Sequence, residues 1–416
     1  MEHWKLPENW EWVKVKNITE TIKTVDPAKI GRDSFVYIEI SSIDSSRGAV
    51  DISQLSPIPV NSAPSRARKP IKKDDVIFAT TRHYLKNIAL IPEELDDQIC
   101  STGFCVLRAQ KQLVLPKYIY FAVRSDFFIE QLTPKQRGAN YPAVADFDVF
   151  DSEIPIPYPN DLARSLETQK RIVLRLETLL EEVKSARELQ ESIEEDTGQL
   201  LDAFLGEIFS EKSNWDVFPI SRFAEVKGGK RLPKGEKFAE GTTQYPYLRV
   251  VDFKDFSIEK ESLKYLTPEI QQTIRRYTIS KEDVYISIAG TIGLVGTIPP
   301  ELDGSNLTEN AAKIVFRPEY KEKIDPLFIA YYLASPSGEE QIRKYTMAAG
   351  QPKLALIRIQ TIEVPLPDIT IQKSIVNRIS TVREEISEMQ HAQRENAELL
   401  EQTEQSLLAQ AFRGEL

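Results

Sequence analysis

One segment of about 40 residues occurs twice in this sequence, and it constrains the fold more than any other feature. The first copy opens with Gln169-Lys170-Arg171-Ile172-Val173 and closes with Ala203-Phe204-Leu205-Gly206-Glu207. The second opens with Gln372-Lys373-Ser374-Ile375-Val376 and closes with Ala411-Phe412-Arg413-Gly414-Glu415. Neither copy contains proline, and Gly198 is the only glycine that precedes a closing motif. Each copy is therefore predicted to form one long helix, roughly 60 Å in length at about 1.5 Å per residue.

Apolar residues recur in both copies at alternating spacings of four and three, the pattern of a coiled-coil seam. A lone helix with such a stripe leaves apolar surface in water, and the nearest available stripe belongs to the other copy. The sequence therefore predicts that the two helices pack on each other. The predicted seam residues are Ile172, Leu176, Leu179, Val183, Ala186, Ile193, Leu200 and Phe204, and in the second copy Ile375, Ile379, Val382, Ile386, Met389, Leu400 and Leu407.

The charge of the chain is concentrated in these two segments. The formal net charge is −10 over 416 residues. Residues 166–211 carry 5 basic and 12 acidic side chains, and residues 371–416 carry 5 and 8, which together account for the whole of it. The remaining residues are balanced and are free to form local basic surfaces. The acidic helix surfaces are either simply solvated or hold a basic partner subunit, and both interpretations stay open.

The length of the chain suggests two or three domains, and its composition places it in the cytoplasm. No apolar run approaches the roughly 20 residues needed to cross a bilayer. The start of the chain does not have the pattern of a signal peptide. Two cysteines, Cys100 and Cys105, do not make a disulfide framework.

The segments between the helices also echo each other. Lys281-Glu282-Asp283-Val284 follows the pattern of Lys73-Asp74-Asp75-Val76, and Val364-Pro365-Leu366-Pro367 that of Ile154-Pro155-Ile156-Pro157. Strands are predicted around Phe35–Ile40, Asp75–Ala79 and Gly103–Arg108, and a helix from Pro116. The predicted fold is α+β, with two similar globular domains joined by a pair of long coiled-coil helices in an internal two-fold pseudo-repeat. The predicted boundaries are 1–160 for the first domain, 161–211 for the central helix, 212–368 for the second domain and 369–416 for the last helix.

No catalytic motif emerges from the sequence. Gly228-Gly229-Lys230 lacks both the earlier glycine and the following Ser or Thr of a phosphate loop. The Gly-rich cofactor loop and the Asn/Asp-Pro-Pro-aromatic motif of a DNA adenine methyltransferase are both absent. The two cysteines and three scattered histidines do not have zinc-ligand spacing. We therefore expect no catalytic residue and no metal ligand in this chain.

Polar and basic loops recur at matching places in both domains and favour nucleic-acid binding. Arg and Lys pair with guanine edges or phosphates, whereas Asn and Gln pair with adenine. Any one of these loops could instead be a solvated loop, and Tyr247 suits a core position as well as base stacking. The candidate DNA-binding residues are Arg66, Arg68, Thr81, Arg82, His83, Tyr84, Lys86, Arg137, Asn140 and Tyr141 in the first domain, and Lys230, Arg231, Lys234, Tyr247, Arg249, Thr291, Asn310, Gln351 and Lys353 in the second.

Taken together, the repeated motifs resemble the specificity subunit of a type I restriction–modification system. The resemblance spans nearly the whole chain and rests on the two helix starts, the two helix ends and two motifs inside the domains. These are Ser287-Ile288-Ala289-Gly290-Thr291-Ile292-Gly293 and Ile99-Cys100-Ser101-Thr102-Gly103-Phe104, which are typical of the target-recognition domains of that family.

The resemblance implies a non-catalytic, sequence-specific DNA-binding subunit. Each target-recognition domain would read one half of a bipartite double-stranded target, and the two long helices would form an antiparallel coiled-coil pair that sets the spacer. Modification subunits, two in number, would dock on the helices, and restriction subunits would join them. S-adenosylmethionine, ATP and Mg would be held by these partners and not by this chain. Two alternatives remain: a coiled-coil scaffold with two non-DNA binding modules, and a self-contained DNA methyltransferase, against which the missing motifs argue.

Overall fold

The computed structural model describes residues 4–138, 141–210, 215–347 and 352–416. The chain divides into two compact units. The first unit consists of residues 1–190 and 395–416, and the second unit of residues 191–394. Each of the two long helices therefore contributes residues to both units.

The first unit begins with short strands and continues with short helices, and a long helix, α4, leaves it. Its elements are β1 Trp10–Lys14, β2 Thr19–Glu20, β3 Ser34–Ile38, β4 Ile43–Asp44, β5 Ala49–Val50, β6 Pro57–Pro59, β7 Ala67–Pro70, β8 Val76–Ala79, β9 Ile88–Leu90, β10 Ile99–Ser101, β11 Phe104–Ala109, α1 Pro116–Arg124, α2 Asp126–Leu132, α3 Asp146–Phe150, β12 Glu153–Pro157 and α4 Leu162–Ser210. The strands predicted around Phe35, Asp75 and Gly103 and the helix predicted from Pro116 are confirmed.

The second unit repeats this order and ends in the second long helix, α10. Its elements are β13 Val217–Pro219, α5 Ile220–Phe223, β14 Ala224–Gly228, β15 Pro246–Leu248, β16 Phe253–Lys254, β17 Ser257–Ile258, β18 Lys264–Tyr265, α6 Pro268–Ile274, β19 Val284–Ser287, β20 Val295–Thr297, β21 Asn306–Leu307, β22 Ala311–Phe316, α7 Pro326–Ala334, α8 Pro336–Tyr345, β23 Thr346–Met347, β24 Lys353–Leu354, α9 Leu356–Ile359, β25 Glu363–Pro365 and α10 Ile369–Phe412.

The sheet topology confirms the predicted internal repeat. One sheet of the first unit has the strand order β2-β11-β8-β9, and the second unit has β14-β22-β19-β20, with antiparallel neighbours in both. The parallel pair β3–β10 likewise recurs as β15–β21. In both units the first strand pairs antiparallel with the strand that precedes the long helix, as β1–β12 and β13–β25. The two globular parts are therefore one fold built twice.

The ends of the long helices lie inside the cores of the units. In the first unit the start of α4, with Ile172 and Leu176, shares a buried cluster with Leu408 and Phe412 at the end of α10. In the second unit the end of α4 shares a cluster with the start of α10. The start of one helix thus meets the end of the other within each unit, which is the predicted antiparallel pairing.

A buried glutamine near each helix start explains why the repeated motif opens with this residue. The Gln169 side chain accepts from the backbone N–H of Leu115 at 2.9 Å and donates to the Leu113 carbonyl at 3.1 Å. Gln372 makes the same bonds in the second unit, with the Asp325 N–H at 3.0 Å and the Lys323 carbonyl at 3.0 Å. Both side chains are fully buried, so an unbonded amide there would be costly. Each glutamine thus binds its long helix to the loop before a short core helix, which is α1 in the first unit and α7 in the second.

The predicted seam is confirmed at Ile172, Leu176, Val183, Ile375 and Ile379, which are buried, is partly buried at Phe204 and Leu407, and is wrong in the middle of the helices. Ile193, Leu200 and Met389 are 42%, 41% and 43% exposed instead of buried. In the part of the helix pair that belongs to the second unit, two polar residues, Thr197 and Gln393, are buried instead. The Gln393 side chain donates to Thr197 Oγ1 at 2.8 Å. A polar pair of this kind fixes the register of two helices at some cost in stability. The four-three spacing of apolar residues continues through the middle of each helix, so the sequence could not show that Ile193, Leu200 and Met389 are exposed.

Candidate nucleic-acid interface

In the first unit the loop after β8 projects side chains outward from the sheet. Thr80 fixes its base, because its N–H and its hydroxyl both donate to the Gly103 carbonyl, at 2.8 and 2.9 Å. Arg82 and Lys86 then adopt left-handed backbone conformations, with φ of 49° and 51°, on either side of a short 3-10 turn. Such conformations are uncommon outside glycine and occur where a loop has a specific shape to hold. Arg82 and Tyr84 are exposed as a result.

A second loop lies against the first and adds an aromatic side chain. The backbone groups of Arg137 and Ala143 bond each other reciprocally, at 2.8 and 2.9 Å, and the Arg82 N–H donates to the Pro142 carbonyl at 2.7 Å. Thr81 forms a bridge with Ala143. The Arg82 guanidinium lies 5.1 Å from the ring centroid of Tyr141, which is 68% exposed. The structure therefore brings Thr81, Arg82 and Tyr141 together as a cation beside an open aromatic face.

Three other predicted cations of the first unit have carboxylate partners within it. Arg137 bonds Asp148 at 2.7 Å, Lys86 bonds Asp126 at 2.6 Å, and Arg68 bonds Asp26 at 3.1 Å. Arg66 is exposed, and its carbonyl accepts from the Thr102 N–H at 2.8 Å, next to the glycine that anchors Thr80.

His83 does not lie on the surface where we predicted it. Its side chain is 1% exposed, and neither ring nitrogen has a hydrogen-bond partner among the described residues. Burial lowers the pKa of the imidazole, because removal from water disfavours the charged form. The turn points its neighbours Arg82 and Tyr84 outward, so His83 supports the loop from below.

In the second unit three loops and the short strand β24 converge at the end of the sheet. The Lys230 N–H donates to the Leu307 carbonyl at 2.8 Å, and the Ile288 N–H donates to the Asn310 carbonyl at 2.7 Å. Ala289 forms a bridge with Lys353. The exposed residues of these loops are Lys230, Arg231, Thr291, Asn310 and Lys353, and the predicted Lys234 is exposed on the segment that follows Arg231.

Glu309 lies among these cations and pairs with Arg231 through Nε, at 2.5 Å from its Oε1. Burial, the largest single influence, would raise the pKa of this carboxyl, but the hydrogen bonds from Arg231, Thr308 and the backbone and the charge of Arg231 together outweigh it, and the pKa is lowered. Glu309 therefore stays ionised and holds the Arg231 side chain in place.

Two residues predicted to contact DNA in the second unit have structural roles: Tyr247 is buried, and Arg249 is bound to a buried carboxylate. Tyr247 is 3% exposed and donates its hydroxyl to the Lys230 carbonyl at 2.9 Å, and burial raises its pKa to about 12. It packs against Phe238 and not against an open surface. Arg249 grips the fully buried Asp252 through Nε at 3.0 Å and a terminal guanidinium nitrogen at 2.6 Å. Both residues support the surface, because a buried hydroxyl and a buried carboxylate need partners.

Asn140 and Gln351 lie outside the described residues. Three residues near this surface were not predicted: Tyr277, whose ring centroid lies 5.6 Å from Lys230 Nζ, and the exposed pair Arg275 and Arg276 before it. The only signal for them was two consecutive arginines between apolar residues.

The two surfaces stand on the same backbone framework. The bond from the Thr80 N–H to the Gly103 carbonyl has its equivalent in Ile288 and Asn310. The bond from the Val144 N–H to the Thr80 carbonyl, 2.9 Å, recurs as Leu354 to Ile288, 3.0 Å. The exposed side chains on this framework differ between the units, so the same scaffold presents two different surfaces.

The described residues hold no cluster of His, Cys, Asp or Glu that could bind a metal ion. Cys100 and Cys105 are buried, and burial raises the pKa of both thiols, which makes them poor nucleophiles. Across the same described part of the chain, no helix is both long and apolar enough to cross a membrane.

Comparison with known proteins agrees with this geometry. Residues 212–399 match the family described as the type I restriction modification DNA specificity domain. The type I restriction enzyme EcoKI specificity subunit of Escherichia coli K12 is 23% identical over 434 residues, covering 99% of this chain and 90% of that protein. The EcoBI specificity subunit of Escherichia coli is 22% identical over 335 residues, covering 75% and 68%.

Solved structures match over the full length. A chain from a study of complex assembly and conformational transition of the type I restriction–modification system is 32% identical, with a TM-score of 0.81 and complete coverage of both chains. The HsdS subunit of Thermoanaerobacter tengcongensis is 31% identical, with a TM-score of 0.59 and 99% coverage of both.

Proposed function

Because the chain belongs to the specificity subunits of type I restriction–modification systems, we propose that its first unit reads one half of a bipartite DNA target and its second unit reads the other half. DNA sequence recognition is the role of this family, and the division between units is our inference. It rests on one observation: the same strand order and the same loop anchors carry different exposed side chains in the two units.

The exposed loop residues supply the contact chemistry. Arg82, with Tyr84 and Tyr141 beside it, and Lys230, with Arg231, Asn310 and Lys353, are the contacts that we propose. Arginine and lysine suit guanine edges and phosphates, and asparagine suits adenine. His83, Tyr247 and Arg249 position these loops from behind.

Partners supply the chemistry that this chain lacks. The subunit is a non-catalytic part of a type I complex, and we propose that two modification subunits dock on the long helices, with restriction subunits joining them in the cytoplasm. Support comes from the large apolar side chains that the long helices expose within the second unit, namely Ile193 and Leu200 in α4 and Met389 in α10. Large exposed apolar side chains are candidates for contact with a partner protein. S-adenosylmethionine, ATP and Mg would be bound by those subunits.

Exchange of one unit is expected to change one half of the target. Replacing residues 212–365 with the corresponding segment of another specificity subunit should leave one half-site of the methylated sequence intact and replace the other. Gln372 itself is kept, and its partners in the exchanged segment are the backbone carbonyl of residue 323 and the backbone N–H of residue 325, so the replacement should keep the loop length there and place no proline at position 325. Sequencing of methylated positions in a host that carries the whole system reads the result. A change in both half-sites would contradict the division between units.

Substitution of one exposed cation in each unit is expected to weaken DNA binding without loss of assembly. Arg82→Ala and Lys230→Ala should each cost about 1–3 kcal/mol if the residue contacts a base, with the loss confined to one target position. A phosphate contact should weaken binding to all sequences alike. Arg32→Ala and Lys260→Ala serve as matched controls, since these exposed cations pair with Asp97 and Glu301. Fluorescence anisotropy with labelled duplexes measures the change in affinity. A variant that binds as tightly as its control would show that the substituted residue does not contact DNA.

A further inference from the structure

The second unit carries a basic lobe that differs from the corresponding part of the first unit. In the first unit β3 pairs with β6, and a single 3-10 turn, Val60–Ser62, follows. In the second unit β15 pairs with β18, and the helix α6 follows. This lobe comprises residues 230–245 and 264–277, and its Leu266, Ile270 and Ile274 form a separate buried cluster with Tyr247 of the adjoining β15.

The charge of this lobe is opposite to that of the chain. It contains seven basic and three acidic side chains, in a protein with a net charge of −10. The basic residues are Lys230, Arg231, Lys234, Lys237, Lys264, Arg275 and Arg276, and the acidic residues are Glu236, Glu240 and Glu269.

The end of α6 and the residues after it are hydrogen-bonded to β21, close to the exposed loop of Lys230. The buried Asn306 side chain donates to the Ile274 carbonyl at 2.9 Å, and the Leu307 N–H donates to the Tyr277 carbonyl at 2.9 Å. Leu307 also accepts from the Lys230 N–H at 2.8 Å. The segment Arg275–Tyr277 and the proposed contact Lys230 are therefore fastened to the same strand residue.

The arginines at this position are available for a ligand. Arg275 and Arg276 are exposed, and neither forms an ion pair with a described residue. Arg231 and Arg249, by contrast, are paired with Glu309 and Asp252. A surface depression of about 370 Å³ is lined by Gln272, Thr273, Arg275, Arg276 and Tyr277. This lining offers guanidinium, amide and hydroxyl donors and contains no carboxylate, which is the chemistry that suits a phosphate group.

We propose that this depression, together with Lys230, binds the phosphate backbone of the DNA beside the half-site that the second unit reads. Duplex DNA is the occupant that the geometry favours, because the depression adjoins the exposed loop of Lys230 and Arg231 through Leu307. Phosphate contacts carry no base information and set the register of the protein on the duplex. The second unit thereby gains a sequence-independent anchor that the 3-10 turn of the first unit does not provide. This inference rests on the proposed DNA-binding function.

The test is the double substitution Arg275→Gln/Arg276→Gln in the full chain, assembled with its modification subunits. Binding to a labelled target duplex and to an unrelated duplex is measured across a range of salt concentrations. Affinity should fall by at least about tenfold on both duplexes, since each lost contact to a charged group is substantial. The slope of log K against log salt should become shallower by about two, because each phosphate contact contributes roughly 0.9. The methylated sequence should not change.

A charge-matched control removes two cations elsewhere in the second unit. Lys254→Gln/Lys260→Gln takes away the same charge from exposed lysines that pair with Glu259 and Glu301, and it should leave the salt slope unchanged. An equal effect of both double variants would overturn the proposal, since it would reflect net charge alone. A loss confined to one base position, or a loss of subunit assembly with unaltered DNA affinity, would also overturn it, the latter in favour of a protein contact. If the unsubstituted complex binds DNA and the variant binds it equally well, this inference fails while the proposed function stands.

Discussion

Addition of one heptad to both long helices is expected to weaken methylation strongly at the native spacing and to lengthen the preferred spacer by about three base pairs. Seven residues add about 10.5 Å at 1.5 Å per residue, and one base pair rises about 3.4 Å. A whole heptad keeps each helix nearly in register with its partner, drifting by only about 20°. If the helices set the distance between the half-sites, the longer pair can engage both halves only of a longer target.

The structure indicates where these residues should be inserted. Insertion between Gln190 and Glu191 in α4 and between Arg394 and Glu395 in α10 leaves intact the ion pair of Arg187 with Glu404 in the first unit. It also preserves the Thr197–Gln393 hydrogen bond in the second unit.

The expected loss on the native target is roughly 100-fold or more. Specific protein–DNA complexes are about 4–10 kcal/mol tighter than nonspecific ones, and only one half-site would still be engaged. Recovery at the new spacing should be incomplete, because three added base pairs rotate one half-site by roughly 100° at about 10–10.5 base pairs per turn.

The measurement is methylation of a series of duplexes that differ only in spacer length. A heptad in α4 alone is the control, since the unmatched length should destabilise the fold without defining a new spacer. A folded double-insertion variant that binds its modification subunits and methylates the native spacing alone would refute the spacer role of the helices.

Removal of the Glu404 carboxylate is expected to destabilise the first unit more than any surface substitution. Glu404 is nearly buried and pairs through its two oxygens with Arg124 at 2.9 Å and Arg187 at 2.8 Å. Arg124 is also buried and donates to the Tyr120 hydroxyl at 2.7 Å, and the Tyr120 hydroxyl donates to the Gly48 carbonyl at 3.0 Å. This network ties the end of α10 to α1 and to a strand turn.

Glu404→Gln keeps the shape of the side chain and removes its charge, leaving two guanidinium groups without a counter-ion. Loss of one partner of a buried pair costs about 3 kcal/mol or more. For a unit of this size the apparent Tm should fall by roughly 6–12 °C. Differential scanning calorimetry of the full chain measures this, with Glu401→Gln, an exposed carboxylate one turn away, as the matched control. A Tm within about 1 °C of that control would show that the network contributes little.

The repeated architecture was accessible from the sequence, because it depends on neighbours along the chain. Helix periodicity, proline placement and strand alternation are local, so the long helices, the strands and the order of the two copies could be predicted. The motif beginning at Gln169 and Gln372 was also visible as a repeat. Its cause was not, because both glutamines bond backbone groups about 50 residues away.

The identity of the exposed contact residues was decided only by the tertiary structure. The candidate cations share one chemistry in the sequence, but in the fold Arg231 pairs with Glu309 of another loop and Arg137 pairs with Asp148 of α3. Tyr247 is likewise part of a buried cluster. Arg275 and Arg276 lie near Lys230 because Tyr277 and Lys230 both bond to Leu307 of β21. In the middle of the helix pair, too, a contact between residues far apart in the sequence decides which side chains are buried, because Thr197 and Gln393 bond each other there. Backbone preferences are set by adjacent residues, whereas the pairing of a charged side chain is set by whatever the fold brings within about 4 Å of it.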